Sequence, residues 1–142
     1  MPFDHPTQLI DHFDRRISYL RLSVTDRCDF RCQYCMAEIM EFLPRSEVLT
    51  IEELLRTARL FTELGVRKIR VTGGEPLIRR GVHELFEGLG ALADLDTLAL
   101  TTNGSHLADS AHALRDAGVK AINISLDSLQ AERFKTITRI GD

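Results

Sequence analysis

The sequence predicts an α/β fold: about four parallel strands in one sheet, with helices outside it. Three observations carry that reading. Short apolar segments alternate with segments of helical period, the order that yields a parallel sheet with right-handed crossovers. Each strand segment has one apolar and one polar face rather than a continuous apolar run. A weak internal repeat links Gly65-Val66-Arg67-Lys68-Ile69-Arg70-Val71 to Gly118-Val119-Lys120-Ala121-Ile122-Asn123-Ile124, at an offset of two strand–helix units.

The first strand is read at 18–24, with Leu20, Leu22 and Val24 on one side and Arg21 and Ser23 on the other. An irregular stretch, 26–49, follows. Thr50 and Glu53 then have capping-box spacing, and Leu54, Leu55, Ala58, Phe61 and Leu64 share one helical face up to Gly65, placed as a left-handed stop. The second strand, 67–72, sets Ile69 and Val71 against Lys68, Arg70 and Thr72. A helix near 82–89 puts Leu85 and Phe86 on its apolar side. The third strand, 96–101, sets Leu98 and Leu100 against Thr97, Ala99 and Thr101. A helix near 107–117 ends at Gly118. The fourth strand, 120–126, sets Ile122, Ile124 and Leu126 against Asn123 and Ser125. A last helix begins after Asp127 or Ser128, either of which suits an N-cap.

Fully buried parallel strands usually read as continuous apolar runs, and these do not. The shared parity gathers Arg21, Arg70, Thr101 and Ser125 on one polar, concave side of a curved sheet. An interior arginine is costly to bury unpaired, so two of them point to an anionic ligand, for which phosphate is the natural partner. The alternative is that these positions are strand ends open to water.

The 142 residues suffice for one domain with a core, and the net charge of −3 excludes the basic excess of a nucleic-acid binder. No apolar run is long enough for a membrane span. Residues 1–16 lack a signal core, interrupted by Asp4, His5, Asp11, His12 and Asp14. The expectation is a cytoplasmic protein.

Cys28-x-x-x-Cys32-x-x-Cys35 is the strongest chemical signal. Three cysteines bunched in one loop are wrong for a disulfide framework and right for a metal site. Thiolates suit iron–sulfur clusters, zinc and Cu(I). A four-iron cluster usually takes four thiolates, so three leave one iron open for reactivity. Two alternatives stand beside this: a zinc site completed by a histidine, and a Cys32–Cys35 redox pair. Zinc spacing normally shows a second ligand pair, which His83, His106 and His112 do not make; a redox pair leaves Cys28 without a role. Gly73-Gly74-Glu75-Pro76 follows the second strand at the end where α/β folds bind ligands. The glycines would let a ligand approach the backbone, Pro76 would stiffen the turn, and Glu75 could accept from an ammonium group. Thr101-Thr102-Asn103-Gly104 and Ser125-Leu126-Asp127 end strands on the same rim; for Thr102, Asn103 and Asp127 the reading is turn and capping chemistry.

Cys-x-x-x-Cys-x-x-Cys after the first strand and Gly-Gly-Glu-Pro after the second resemble the radical S-adenosylmethionine superfamily. Leu20 through Cys28, Phe30-Arg31-Cys32, Tyr34-Cys35-Met36, Phe42-Leu43-Pro44, Ile69 through Leu77, Leu100 through Gly104 and Asn123 through Asp127 narrow the resemblance to its GTP 3',8-cyclase family. That resemblance implies a partial (βα) barrel, with an N-terminal extension at 1–17 and an incomplete core domain at 18–142. It implies a lyase of molybdenum cofactor biosynthesis. Such an enzyme cleaves S-adenosylmethionine at the open iron of a [4Fe-4S] cluster, and the resulting radical converts GTP to (8S)-3',8-cyclo-7,8-dihydroguanosine 5'-triphosphate. Cys28, Cys32 and Cys35 would hold the cluster; Tyr34, Gly74, Glu75 and Ser125 would contact S-adenosylmethionine; Arg21, Arg70 and Thr101 would contact GTP.

It further implies an external electron donor of the reduced flavodoxin or ferredoxin type, hand-over to the next enzyme of the molybdopterin pathway, and room for a homodimer. The family's second cluster lies in a C-terminal part beyond Asp142, so this chain alone is expected to be inactive. Ala37 stands where the family usually has proline. The remaining alternatives are another radical S-adenosylmethionine enzyme, such as a peptide-modifying one, and a non-catalytic iron–sulfur or zinc protein for electron transfer or binding.

Overall fold

The computed structural model describes residues 8–141. Its elements run β1 (Tyr19–Ser23), α1 (Ile51–Glu63), β2 (Lys68–Thr72), α2 (Val82–Gly90), β3 (Thr97–Thr102), α3 (Leu107–Asp116), β4 (Val119–Ile124) and α4 (Ala131–Thr138). The four strands form one parallel sheet in the order β1-β2-β3-β4. This is the α/β arrangement expected, an open sheet consistent with part of a barrel.

The start of α1 is built as its sequence dictates. The Thr50 hydroxyl accepts from the Glu53 amide at 3.2 Å and the Glu53 carboxylate accepts from the Thr50 amide at 2.8 Å, closing the capping box. Gly65, at φ 97°, ends the helix in the left-handed region. Leu54 and Ala58 of α1, Leu85, Phe86 and Leu89 of α2, and Leu114 of α3 pack against Leu22, Ile69, Val71, Leu98 and Leu100 of the sheet. The apolar strand parity therefore places all three helices on one face of the sheet and leaves the polar parity on the other. A bulge between β3 and β4 pairs Leu98 with Val119 but Ala99 with Ala121, so Lys120 is the extra residue.

The last helix starts later than expected. Neither Asp127 nor Ser128 caps α4: Gln130 holds the N-cap position with no side-chain bond. The Ser128 hydroxyl instead accepts from the Gln130 amide at 3.1 Å, and Asp127 is engaged by Tyr34. On β4, Ile122 and Ile124 lie on the helix-side parity but are 40% and 55% exposed, and among the described residues β4 pairs with β3 alone.

Residues 1–7 of the N-terminal extension, with Asp4 and His5, lie outside the described residues, as does Asp142. Within the rest of the extension, Ile10 and Arg16 form an antiparallel bridge, and the Leu9 amide donates to the Leu64 carbonyl at 3.0 Å. Among the described residues no helix is long and apolar enough to cross a membrane.

Candidate functional site

The cysteine loop leaves the end of β1 and is tied to three other parts of the chain. The first tie is the turn after β2. Gly74 N donates to Thr25 O and Glu75 N to Arg27 O, both at 2.8 Å, extending the β1–β2 pairing past the strands. The backbones come so close that a Cβ on Gly74 would sit 2.1 Å from the Arg27 carbonyl oxygen, and one on Gly73 would sit 2.7 Å from that of Thr25. What approaches these glycines is the start of the cysteine loop; the sequence reading had reserved that space for a ligand.

The second tie runs through the end of β3. Glu75 is 1% exposed and its carboxylate accepts three bonds: Leu77 N at 3.0 Å, Thr102 Oγ1 at 2.7 Å and Asn103 N at 2.7 Å. Asn103 then reaches the cysteine loop, its side-chain amide donating to Asp29 at 2.8 Å; Ser105 Oγ donates to the other Asp29 oxygen at 2.6 Å. Pro76 opens a short 3-10 turn, Pro76–Ile78, that Glu75 itself caps. Thus Thr102 and Asn103, expected to serve only their own turn, link two rims of the sheet to the cysteine loop.

The third tie is α4. Arg31 N donates to Thr138 O at 2.9 Å and Gln33 N to Ile137 O at 3.0 Å. Arg139 donates to the Met36 carbonyl at 3.0 Å from a backbone held at φ 65°, unusual for a residue with a side chain. Phe30 and Phe134 meet edge to face with centroids 5.6 Å apart. The Tyr34 hydroxyl donates to Asp127 at 2.9 Å. These partners sit some hundred positions apart in sequence, and no local pattern announced them. Asp29, Ser105 and Arg139 are the residues that sequence reasoning missed.

Cys28, Cys32 and Cys35 are all free thiols, the first two half-buried and the third exposed. Burial pushes the Cys28 thiol up, opposed by the Phe30 amide at 3.4 Å and reinforced by the charges of Asp29 and Glu75. Burial likewise raises Cys32. Tyr34 is raised too, chiefly because its hydroxyl donates to the Asp127 carboxylate. Such thiols lose their protons when a metal takes the proton's place. Three free sulfurs spaced along one loop are soft donors of the kind an iron–sulfur cluster takes, one thiolate at each of several irons.

The remaining candidates divide by place. Tyr34, 71% exposed, and Ser125 stand at the rim, the latter's amide donating to Thr102 O at 2.8 Å. Gly74 and Glu75 lie inward of them. Arg21 and Arg70 are register partners on β1 and β2, and Arg70 donates to Thr101 Oγ1 at 3.3 Å and to Tyr19 Oη at 3.0 Å. Among the described residues neither arginine has a carboxylate partner.

A parallel α/β sheet whose first strand runs into a three-thiol loop defines a class of iron–sulfur proteins. The chain belongs to the radical SAM superfamily, whose family model matches residues 22–142. At finer grain it is 61% identical over 135 residues to GTP 3',8-cyclase of Ectopseudomonas mendocina, covering 95% of this chain and 41% of that protein. It is 63% identical over 134 residues to GTP 3',8-cyclase of Pseudomonas fluorescens, covering 94% of this chain and 40% of that one. The chain thus spans about 40% of the length of these relatives. Among solved structures, SuiB of Streptococcus suis bound to its precursor peptide SuiA superposes with a TM-score of 0.68 at 19% identity, covering 87% of this chain and 27% of that one. BtrN in complex with AdoMet and 2-DOIA superposes with a TM-score of 0.60 at 15% identity, covering 87% of this chain and 51% of that one. Both likenesses show the fold. Membership of the superfamily brings a [4Fe-4S] cluster and S-adenosylmethionine, and the free thiols of the loop are the donor set that such a cluster requires.

Proposed function

We propose that this chain is the S-adenosylmethionine-binding part of a cytoplasmic GTP 3',8-cyclase. That lyase converts GTP to (8S)-3',8-cyclo-7,8-dihydroguanosine 5'-triphosphate at the first step of molybdenum cofactor biosynthesis. Two relatives at about 60% identity carry that name. The observation that carries the substrate half of the reading is the Arg21–Arg70 pair. Adjacent strands lie about 4.8 Å apart, so two guanidinium side chains leave the polar face at the same level, and among the described residues no carboxylate pairs with either. Like charges so placed repel unless an anion bridges them, and a triphosphate supplies several.

In this reading Cys28, Cys32 and Cys35 hold the cluster. Bound together, the cluster and S-adenosylmethionine supply the one-electron reductive cleavage of a sulfonium carbon–sulfur bond. Tyr34 and Ser125 face S-adenosylmethionine from two sides of the rim, and Gly74, its amide already bonded to Thr25 O, meets it through its carbonyl. Glu75 fixes that rim, its carboxylate accepting from Leu77, Thr102 and Asn103. Thr101 holds Arg70 toward GTP. An external flavodoxin or ferredoxin delivers the electron, the next enzyme of the pathway takes the product, and the protein works as a homodimer.

Thermal denaturation with GTP tests the substrate assignment. GTP should raise the melting temperature of the protein, and Arg21→Ala or Arg70→Ala should each remove most of that rise. The absence of protection, or protection that survives both substitutions, contradicts it.

A further inference from the structure

Asp29 follows the first cysteine directly, and its side chain turns back toward it. The Cys28 sulfur lies 3.9 Å from Asp29 Oδ1, within reach of a thiol hydrogen bond to it. The carboxylate is not free to leave. Asn103 Nδ2 holds Oδ1 at 2.8 Å, Ser105 Oγ holds Oδ2 at 2.6 Å, and His106 Nε2 stands 3.4 Å from Oδ2. Asn103 is fixed in its turn by the Glu75 carboxylate on its backbone amide at 2.7 Å. A chain of hydrogen bonds therefore runs from the buried glutamate of the second strand's turn to an aspartate beside the first cluster ligand.

When Cys28 takes iron, the thiol proton departs. The Asp29 carboxylate, which accepted only a hydrogen bond from that thiol, is then left as a negative charge beside a negative sulfur. The potential of an iron–sulfur cluster depends on the net charge around it and on hydrogen bonds to its sulfurs. A nearby anion disfavours the added electron and makes the reduced cluster a stronger reductant, which the cleavage of a sulfonium bond demands. Opposing influences exist: Arg31 donates to the Cys28 carbonyl at 2.6 Å, and the neutral Asn103 amide stands 3.9 Å from the Cys28 sulfur. Neither is an ion-pair partner of Asp29, whose other near neighbour is the His106 imidazole.

We propose that Asp29, held against Cys28 by Asn103 and Ser105, is a positioning residue that lowers the reduction potential of the cluster on Cys28, Cys32 and Cys35. This rests on the cluster reading above. It names a role for a side chain that no ligand count would include, and for a β3 rim that otherwise reads as turn chemistry.

The test is an EPR-monitored redox titration of the full chain, reconstituted anaerobically with iron and sulfide. Asp29→Asn keeps the shape and removes the charge; its new amide donor can face Ser105 Oγ, which can turn its own proton to Asn103 Oδ1, 2.7 Å away. Asp29→Glu keeps the charge. Iron and sulfide are measured on all three proteins, with titanium(III) citrate supplying the single electron. With equal iron content, Asp29→Asn should favour the reduced cluster by about tenfold, a rise in midpoint of about 59 mV for one electron. Asp29→Glu should stay close to the parent. An unchanged midpoint in Asp29→Asn, or the same rise in both variants, overturns the proposal while leaving the cluster reading intact. A parent protein that takes up no iron overturns both.

Discussion

At Gly74 one missing carbon decides how the cysteine loop can sit. The site of its absent Cβ is already taken by the Arg27 carbonyl, and its amide bonds to Thr25 O. Gly74→Ala must push the first turn of the cysteine loop away from β2. Overpacking of this kind costs about 1–3 kcal/mol. The expected outcome is a lower melting temperature together with reduced iron uptake on reconstitution, read by calorimetry and iron analysis; full iron uptake would show that the loop tolerates the shift. The sequence made Gly73-Gly74-Glu75-Pro76 stand out but assigned the space to a ligand, because a sequence shows where backbone can be approached and not what approaches it. Glu75 was legible as a hydrogen-bond acceptor for the same reason, while its three donors, drawn from its own turn and from β3, were not. The cysteines were legible outright, since their spacing lies within one loop. Asp29 was not: an aspartate in a polar loop carries no signal until Asn103 and Ser105 arrive from more than seventy residues away.

Elements whose stabilising contacts are local were the ones the sequence could place. Helix α1 begins at Ile51 because the Thr50–Glu53 box is written in four consecutive residues. The strands fell within two residues of their expected bounds because the apolar parity of each is set by the single helical layer that covers the sheet. Helix α4 was misjudged at its start because Asp127 spends its carboxylate on the Tyr34 hydroxyl, a long-range bond that outcompetes capping. The end of α4 was equally hidden, although it is the widest support of the cysteine loop. Its hold can be weakened at Phe134, whose ring packs on Phe30. Such aromatic pairs contribute about 0.5–1.5 kcal/mol beyond their buried area. Phe134→Ala should therefore speed amide hydrogen exchange at Arg31 and Gln33, which bond the last turn of α4, by up to about tenfold, while the β2 amides keep their protection. Equal exchange before and after the substitution would mean that α4 does not brace the loop.

Across the whole molecule the division of faces organises chemistry. Helices cover one side of the sheet, and the polar parity of the other side presents Arg21, Arg70 and Thr101 below a rim carrying Tyr34, Gly74 and Ser125. The cysteine loop closes that rim, strapped by the turn after β2, the end of β3 and the end of α4. The parity of the strands made that division readable in advance. The strapping was not readable, because each strap joins segments far apart in sequence. At β4, Ile122 and Ile124 are bared on the helix side of the sheet.

The account stands on three thiolates leaving one iron of a four-iron cluster open to S-adenosylmethionine. The most direct measurement is the EPR spectrum of the reduced, reconstituted protein before and after S-adenosylmethionine is added. A [4Fe-4S] signal whose g-values shift on addition, and which is lost in a Cys28→Ala, Cys32→Ala or Cys35→Ala protein, is the predicted result. A cluster signal indifferent to S-adenosylmethionine, or a protein that binds zinc in place of iron, would contradict it.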